Sequence, residues 1–271
     1  MIRLIATDMD GTLLDSRKQL PEGFSGILRE LKANRIRLAI ASGRQYYNLR
    51  AYFSREEAED LFFLSENGAA IFENEQPLFF RELDPSLLPE TIEAIRGIRG
   101  VHPVVCGLRS AYIENTEEFF VRNVKLYYQK LEVLPDVLDG AKSDHICKLA
   151  AFDAENAEQR TLPEMKRFSD RFNVVLSGRM WVDLMSHGTD KGTALRVLQT
   201  RLRISPEETM AFGDYLNDAG MMHSCRYSFA MENAHPDLKK LCAYQTESND
   251  DNGVLNAIRR FRALILPEAT A

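Results

Sequence analysis

Arg3-Leu4-Ile5-Ala6-Thr7-Asp8-Met9-Asp10-Gly11-Thr12-Leu13-Leu14 decides how the rest of the chain is read. Residues 3–7 are short, mostly apolar and without helical spacing, so they read as a buried strand. In an extended chain residues i and i+2 point the same way. Asp8 and Asp10 therefore project together from the carboxyl end of that strand, the edge where open α/β sheets bind ligands. Gly11 allows the backbone to turn at once. Two carboxylates about 4 Å apart repel by roughly 4 kcal/mol at an effective dielectric near 20, so the pair calls for a shared cation or proton. A lone Asp-x-Asp also fits a solvated turn, and the remaining chain has to decide between the two.

Strands of the same kind recur at residues 37–41, 61–64, 209–212, 227–230 and 243–246. Helical patterns occupy residues 22–33, 45–59, 192–202, 219–224, 236–241 and 254–266. Short, continuously apolar strands are expected where helices cover both faces of a parallel sheet. The alternation predicts an α/β fold with a doubly wound, Rossmann-like parallel sheet. The order changes in the middle of the chain. There a helix (87–98), strands (101–106 and 111–114), a helix (117–131), a strand (146–152), a helix (158–172) and a closing hairpin (174–177 and 180–184) follow one another. This predicts an α/β domain, 84–185, inserted into a catalytic core formed by 1–83 and 186–271. Insertions of this type occur where the chain can leave and re-enter at the surface. Residues 267–271 read as a frayed tail.

At 271 residues, 45% hydrophobic and 27% charged, the chain can build a substantial core and lacks the composition of a disordered protein. A formal net charge of −6 argues against nucleic acid or an anionic membrane as the main partner, because both reward clustered Lys and Arg. The four cysteines and five histidines form no Cys-x-x-Cys or His-Glu-x-x-His pattern, so neither a zinc site nor a disulfide framework is expected. No apolar stretch reaches membrane-spanning length, and the first residues do not form a signal-peptide h-region. A soluble, cytoplasmic protein is the expectation, and a homo-oligomer is compatible with it.

Gly213-Asp214-Tyr215-Leu216-Asn217-Asp218 follows the strand at 209–212 and supplies a second acidic group at a second strand end. Mg²⁺ takes near-octahedral oxygen ligands, commonly one or two carboxylates plus waters and a substrate phosphate. Asp8 and Asp214, with the main-chain carbonyl of Asp10, would suit it. Taken singly, Asp214 and Asn217 also fit a turn or a helix cap. Ser42-Gly43-Arg44 follows the strand at 37–41, where a hydroxyl and an exposed glycine N–H can hold phosphate oxygens. Lys191 stands at the start of a helix, the wrong end for its charge unless an anion is nearby, although a surface lysine is the plainer reading of any single case.

Together, Asp8–Thr12, Ser42, Lys191 and Asp214–Asp218 resemble, in order, the four motifs of the haloacid dehalogenase superfamily, and specifically its Cof-like branch of capped sugar-phosphate phosphatases. Glu66-Asn67-Gly68-Ala69, Met231-Glu232-Asn233-Ala234 and Asn249-Asp250-Asp251-Asn252-Gly253-Val254 also look like that branch. Ser42 stands where many relatives carry threonine, which keeps the hydroxyl; His187 and Thr189 lie in a variable stretch. The resemblance implies a Mg²⁺-dependent phosphatase of small phosphate esters, with sugar phosphates the foremost class. It implies Asp8 as nucleophile forming an aspartyl-phosphate and Asp10 as general acid/base. Asp8, Asp10 and Asp214 would bind metal, Ser42, Gly43, Lys191 and Asn217 phosphate, and Asp218 would position Lys191 or a metal-bound water. The inserted domain would act as a cap. Its Arg109, Tyr112, His145, Lys148, Arg179 and Trp181 are candidates for specificity, although packing or a solvated surface is the plainer reading of each. A phosphomutase using the same residues and a non-enzymatic phospho-acceptor are the rival readings. A dinucleotide-dependent oxidoreductase is remote, because no Gly-x-Gly-x-x-Gly follows the first strand.

Overall fold

The strand Leu4–Asp8 is buried along its whole length and pairs in parallel with Arg37–Ala41 on one side and Thr209–Gly213 on the other. In this computed structural model, which describes residues 1–265, those three strands form the centre of an eight-stranded sheet. Its order is Tyr244–Gln245, Tyr227–Ala230, Thr209–Gly213, Leu4–Asp8, Arg37–Ala41, Leu61–Ser65, Ala70–Glu73 and Gln76–Phe80. The first six run parallel, as the alternation of strands and helices predicts. Register explains why motifs far apart in sequence converge. Asp8 lies level with Ala41, so Ser42 is one residue beyond it. Thr7 lies level with Phe212, so the chain leaves the sheet at Gly213 and Asp214 on the same edge.

The sheet also holds two strands that the sequence reading missed. After Leu61–Ser65 the chain doubles back as Ala70–Glu73, antiparallel to it, and turns through Asn74 and Glu75 into Gln76–Phe80. Both turn residues have positive φ, 49° and 65°, as two-residue hairpin turns require. The expected helix at 45–59 is two short helices, Tyr46–Arg50 and Arg55–Ala58. The second has its own start, because Ser54 and Glu57 form a reciprocal capping box. The helix expected at 254–266 is likewise divided, into Gly253–Arg260 and Arg262–Ile265. Residue 266 and the tail at 267–271 lie outside the described residues.

The chain divides into two compact units, one of Met1–Ser42, Leu49–Leu78 and Asp190–Ala271, the other of Gly43–Asn48 and Phe79–Thr189. The second unit has a six-stranded sheet in the order Phe172–Gly178, Trp181–Ser186, Ile146–Asp153, Val101–Gly107, Ala111–Ile113 and Leu131–Val133. Only the last pair is parallel. On one face Leu88, Ile92 and Ile95 of helix Leu88–Arg96 pack with Val137, Met165, Leu149 and Leu184. On the other, Phe120 and Val124 of helix Glu118–Lys125 cover Val104, Ala150, Phe152 and Trp181. Trp181 and Tyr112 are therefore core residues. The helix expected at 117–131 ends at Lys125, which leaves room for the strand Leu131–Val133. A further helix, Val137–Ser143, starts at Asp136, whose carboxylate accepts from Leu138 N at 2.9 Å. The helix expected at 158–172 is a turn of π-helix, Ala157–Thr161, and a short helix, Leu162–Lys166. Phe172 already belongs to the next strand, facing the core.

Candidate active site

The four sequence motifs meet at the carboxyl edge of the first unit's sheet. Lys191 is the first residue of helix Lys191–Leu202 and is only 1% exposed. A cation at a helix N-terminus and out of water requires compensation, and two carboxylates supply it. Lys191 Nζ donates to Asp8 Oδ1 at 2.5 Å and to Asp218 Oδ1 at 2.7 Å. The other oxygen of Asp218 accepts from the backbone N–H groups of Asp214 and Tyr215, at 3.0 and 3.1 Å. One side chain thus fixes both the lysine and the loop that carries Asp214. Asp190 caps the helix, accepting from Thr193 N at 2.7 Å.

Asp214 is held by the hydroxyl of Thr12, which donates to its Oδ1 at 3.1 Å. Gly11 makes that approach feasible. Its φ is +77°, and a Cβ there would lie 2.4 Å from Asp214 Oδ2, so any other residue would push the carboxylate away. The loop after Asp10 is tied down by two of the flanking motifs. Asn233 Nδ2 donates to Gly11 O at 2.8 Å and Asn249 Nδ2 to Leu14 O at 2.9 Å. Asp250 accepts from the backbone and hydroxyl of Ser16 at 2.7 and 2.6 Å. Those motifs are structural braces for the loop that follows the aspartates.

Asp10 is 27% exposed at its side chain and accepts from Lys18 Nζ at 2.7 Å. Ser42 is buried; its N–H donates to Leu64 O and its carbonyl accepts from Asn67 N, both at 2.9 Å. Gly43, next in the chain, is grouped with the second unit, and its carbonyl accepts from Lys148 Nζ at 2.9 Å. Asn217 donates to Asn67 Oδ1 at 3.2 Å. Residues 66–68 have φ of 52°, 53° and 93°, and a Cβ on Gly68 would fall 2.4 Å from Asp190 O. That unusual turn packs directly against the start of the Lys191 helix. Thr12 and Asn67 were not singled out from sequence, although Thr12 sits inside the first motif and three consecutive left-handed residues are suggested by Asn67-Gly68. Of the residues considered for specificity, Arg109 and His145 are largely exposed, paired with Asp144 and Glu82, Arg179 is exposed, and Lys148 is buried.

Among the described residues, Asp8, Asp214 and Asp218 form the group of acids able to hold a metal, with one oxygen from each within 4.8 Å of the others. The side chain of Asp10 is outside that group. Three carboxylates around one ammonium leave two negative charges in a buried site, the deficit that a divalent cation balances. The donors are all oxygen, which suits a hard ion such as Mg²⁺. The titration behaviour agrees. Burial raises the Asp8 carboxyl well above the usual range, with Lys191 opposing and Asp218 and Asp214 adding to the rise. Burial and the neighbouring Asp218 push Asp214 up to about 7, against Lys191 and the Thr12 hydroxyl. Burial works against the Lys191 ammonium, but Asp218 and Asp8 outweigh it and hold its pKa above the usual lysine range.

The sign of the resulting pH dependence follows from linkage. For Asp214 the metal-free native state holds its proton up to about pH 7, whereas the unfolded chain releases it in the ordinary carboxylate range, near 3.8. Across that window the native state binds more protons, so metal-free stability falls as pH rises. A bound cation displaces those protons and gains affinity in the same direction. The rise in melting temperature caused by Mg²⁺ should therefore be clearly larger at pH 8 than at pH 5.5. Equal shifts at both pH values would refute the coupling.

A sequence profile of the haloacid dehalogenase-like hydrolases matches residues 5–258. The chain belongs to that family. Among curated members of similar length, this HAD-like hydrolase is 32% identical over 264 residues to the 5-amino-6-(5-phospho-D-ribitylamino)uracil phosphatase YbjI of Escherichia coli, covering 95% of each chain. It is 28% identical over 246 residues to the HMP-PP phosphatase of Klebsiella pneumoniae, covering 88% of this chain and 87% of that one. A solved structure from Streptococcus mutans superposes with a TM-score of 0.89 at 30% identity, over 97% of this chain and all of the other. No helix among the described residues of the hydrolase is long and apolar enough to cross a membrane.

Proposed function

We propose that this hydrolase is a Mg²⁺-dependent phosphatase of small phosphorylated metabolites that works through an aspartyl-phosphate on Asp8. The observation that carries the reading is the buried group of Asp8, Asp214 and Asp218 around Lys191 at the carboxyl edge of the sheet. Asp8, Asp214 and the carbonyl of Asp10 would hold the metal, which when bound screens an anionic carboxylate from an anionic phosphate. Asp8 Oδ attacks phosphorus and the ester oxygen leaves, giving the acyl phosphate. Asp10 protonates the leaving alcohol, then accepts a proton from the water that cleaves the acyl phosphate and regenerates Asp8. Ser42, the N–H of Gly43 and Lys191 stabilise charge on the phosphoryl oxygens as the transition state forms. Asp218 keeps Lys191 aimed at the site, and Asn217, braced by Asn67, orients the phosphate. The second unit serves as the cap that recognises the rest of the substrate.

The named activities of the relatives support phosphorylated metabolites as substrates. The ribityl phosphate in one of those names keeps sugar and sugar-alcohol phosphates foremost. The mild acidity of the chain and its relatives' substrates favour a small molecule over nucleic acid or membrane, with action in the cytoplasm. Hydrolysis of an aryl phosphate should require Mg²⁺, stop with EDTA and resume when Mg²⁺ is restored. Asp10→Asn should lower kcat by roughly 10²–10⁴, with a smaller loss for substrates whose leaving group needs no proton. Release of inorganic phosphate from a single substrate distinguishes hydrolysis from a mutase. Activity that persists in EDTA would remove the metal from the mechanism.

A further inference from the structure

Lys148 lies on Ile146–Asp153, a central strand of the second unit's sheet, and its side chain is 1% exposed. A lysine so deeply buried is uncommon unless paired. Asp183, on the adjacent strand Trp181–Ser186 and also buried, places Oδ2 3.5 Å from Nζ. The ring of Tyr128 lies beneath the ammonium, 5.5 Å away. The ammonium also donates to Gly43 O at 2.9 Å. That contact is one of a set binding the segment Gly43–Asn48 within this unit. Gln45 Oε1 accepts from Gln129 N and Lys130 N at 3.1 and 2.9 Å, and Gln45 Nε2 donates to Lys130 O at 2.9 Å. Arg44 Nη1 donates to Leu126 O at 2.9 Å.

We propose that Lys148 is a positioning residue for the reaction, fixing through Gly43 O the segment that begins immediately after Ser42. The proposal rests on the phosphatase reading above, in which Ser42 and the N–H of Gly43 hold phosphoryl oxygens. Ser42 and Gly43 share a peptide bond, so loosening Gly43 relaxes the aim of both donors, and a misplacement of about 1 Å can cost roughly 10²-fold in rate. Asp183, 3.5 Å from the ammonium, keeps the lysine aimed. A buried ion pair contributes little net stability compared with an apolar pair of similar volume, so its placement against Gly43 O fits a role in geometry.

The test compares Lys148→Met, the charge-free double variant Lys148→Met/Asp183→Leu, and Lys148→Arg with wild type, using an aryl phosphate, inorganic phosphate as competitor and Mg²⁺. Lys148→Met alone removes the cation beside a buried carboxylate and is expected to melt lower; the double variant removes both charges. In the double variant kcat should fall about 10- to 100-fold. Inhibition by inorganic phosphate should weaken in parallel, while half-saturation by Mg²⁺ stays at its wild-type value. Lys148→Arg should recover part of kcat. A double variant with wild-type kcat and wild-type phosphate inhibition overturns the proposal, as does a loss of Mg²⁺ affinity equal to the loss of rate. The underlying reading fails separately, if wild type does not cleave aryl phosphates or if Asp8→Asn is as active as wild type.

Discussion

Asp8→Asn is expected to abolish turnover, lowering kcat by about 10⁴-fold or more, while the protein stays folded. Loss of a covalent nucleophile removes a step that no neighbouring group replaces. Asp218 cannot substitute, because one of its oxygens is committed to Lys191 and the other to two backbone N–H groups. Asp214 is held by Thr12 and is needed for the cation. Stability should move the other way from activity. Asp8 is buried beside Asp214 and Asp218, and a neutral amide of the same shape relieves that repulsion, while Lys191 keeps Asp218 as a partner. The metal-free variant should therefore melt at or above the wild-type temperature. Steady-state kinetics and thermal unfolding followed by circular dichroism measure the two quantities. A variant that retains even a tenth of wild-type kcat would point to a different nucleophile.

Lys191→Met is expected to damage both stability and rate. Methionine roughly preserves the volume of the side chain but leaves Asp8 and Asp218 buried with no cation between them. Removing one partner from a buried ion pair costs about 3–5 kcal/mol, and here one ammonium serves two carboxylates. Loss of one charge-stabilising donor at a phosphoryl oxygen lowers kcat by about 10²–10³. Mg²⁺ should recover more of the melting temperature in this variant than in wild type, since it supplies the missing positive charge, but it should not recover kcat. Equal Mg²⁺-induced shifts in the two proteins would mean that the lysine and the metal do not share the same carboxylates.

The central strands of the parallel core were clear in the sequence because they are buried along all or nearly all of their length. Their apolar runs are continuous and stop where Asp8, Ser42 and Asp214 begin. Elements with weaker local signals were misread. The hairpin Ala70–Glu73 and Gln76–Phe80 lacks strong alternation, and its turn rests on Asn74 and Glu75 rather than on Asn-Gly. The apparent helices at 45–59 and 158–172 had enough helical spacing to be joined across breaks. The first break is made by the Ser54–Glu57 capping box; in the second, the chain passes from a π-helical turn through a short helix into the strand beginning at Phe172.

Lys191 illustrates the boundary between the two kinds of knowledge. A cation opening a helix called for a nearby anion, on local grounds alone. Which anions answered could be read only in three dimensions, since Asp8 is 183 residues away in sequence and Asp218 is 27. The same holds for Asn67 meeting Asn217, for Asn233 and Asn249 bracing the loop after Asp10, and for Gly43–Asn48 grouping with the second unit. By itself the sequence determined the class of fold, the order of the motifs and the kinds of side chain at the strand ends, because periodicity and residue chemistry are local properties. Tertiary structure decided the partners of each charge and the closeness of the carboxylates, because those depend on strand register and on backbone approaches such as that of Gly11 to Asp214, which link residues that no local pattern connects.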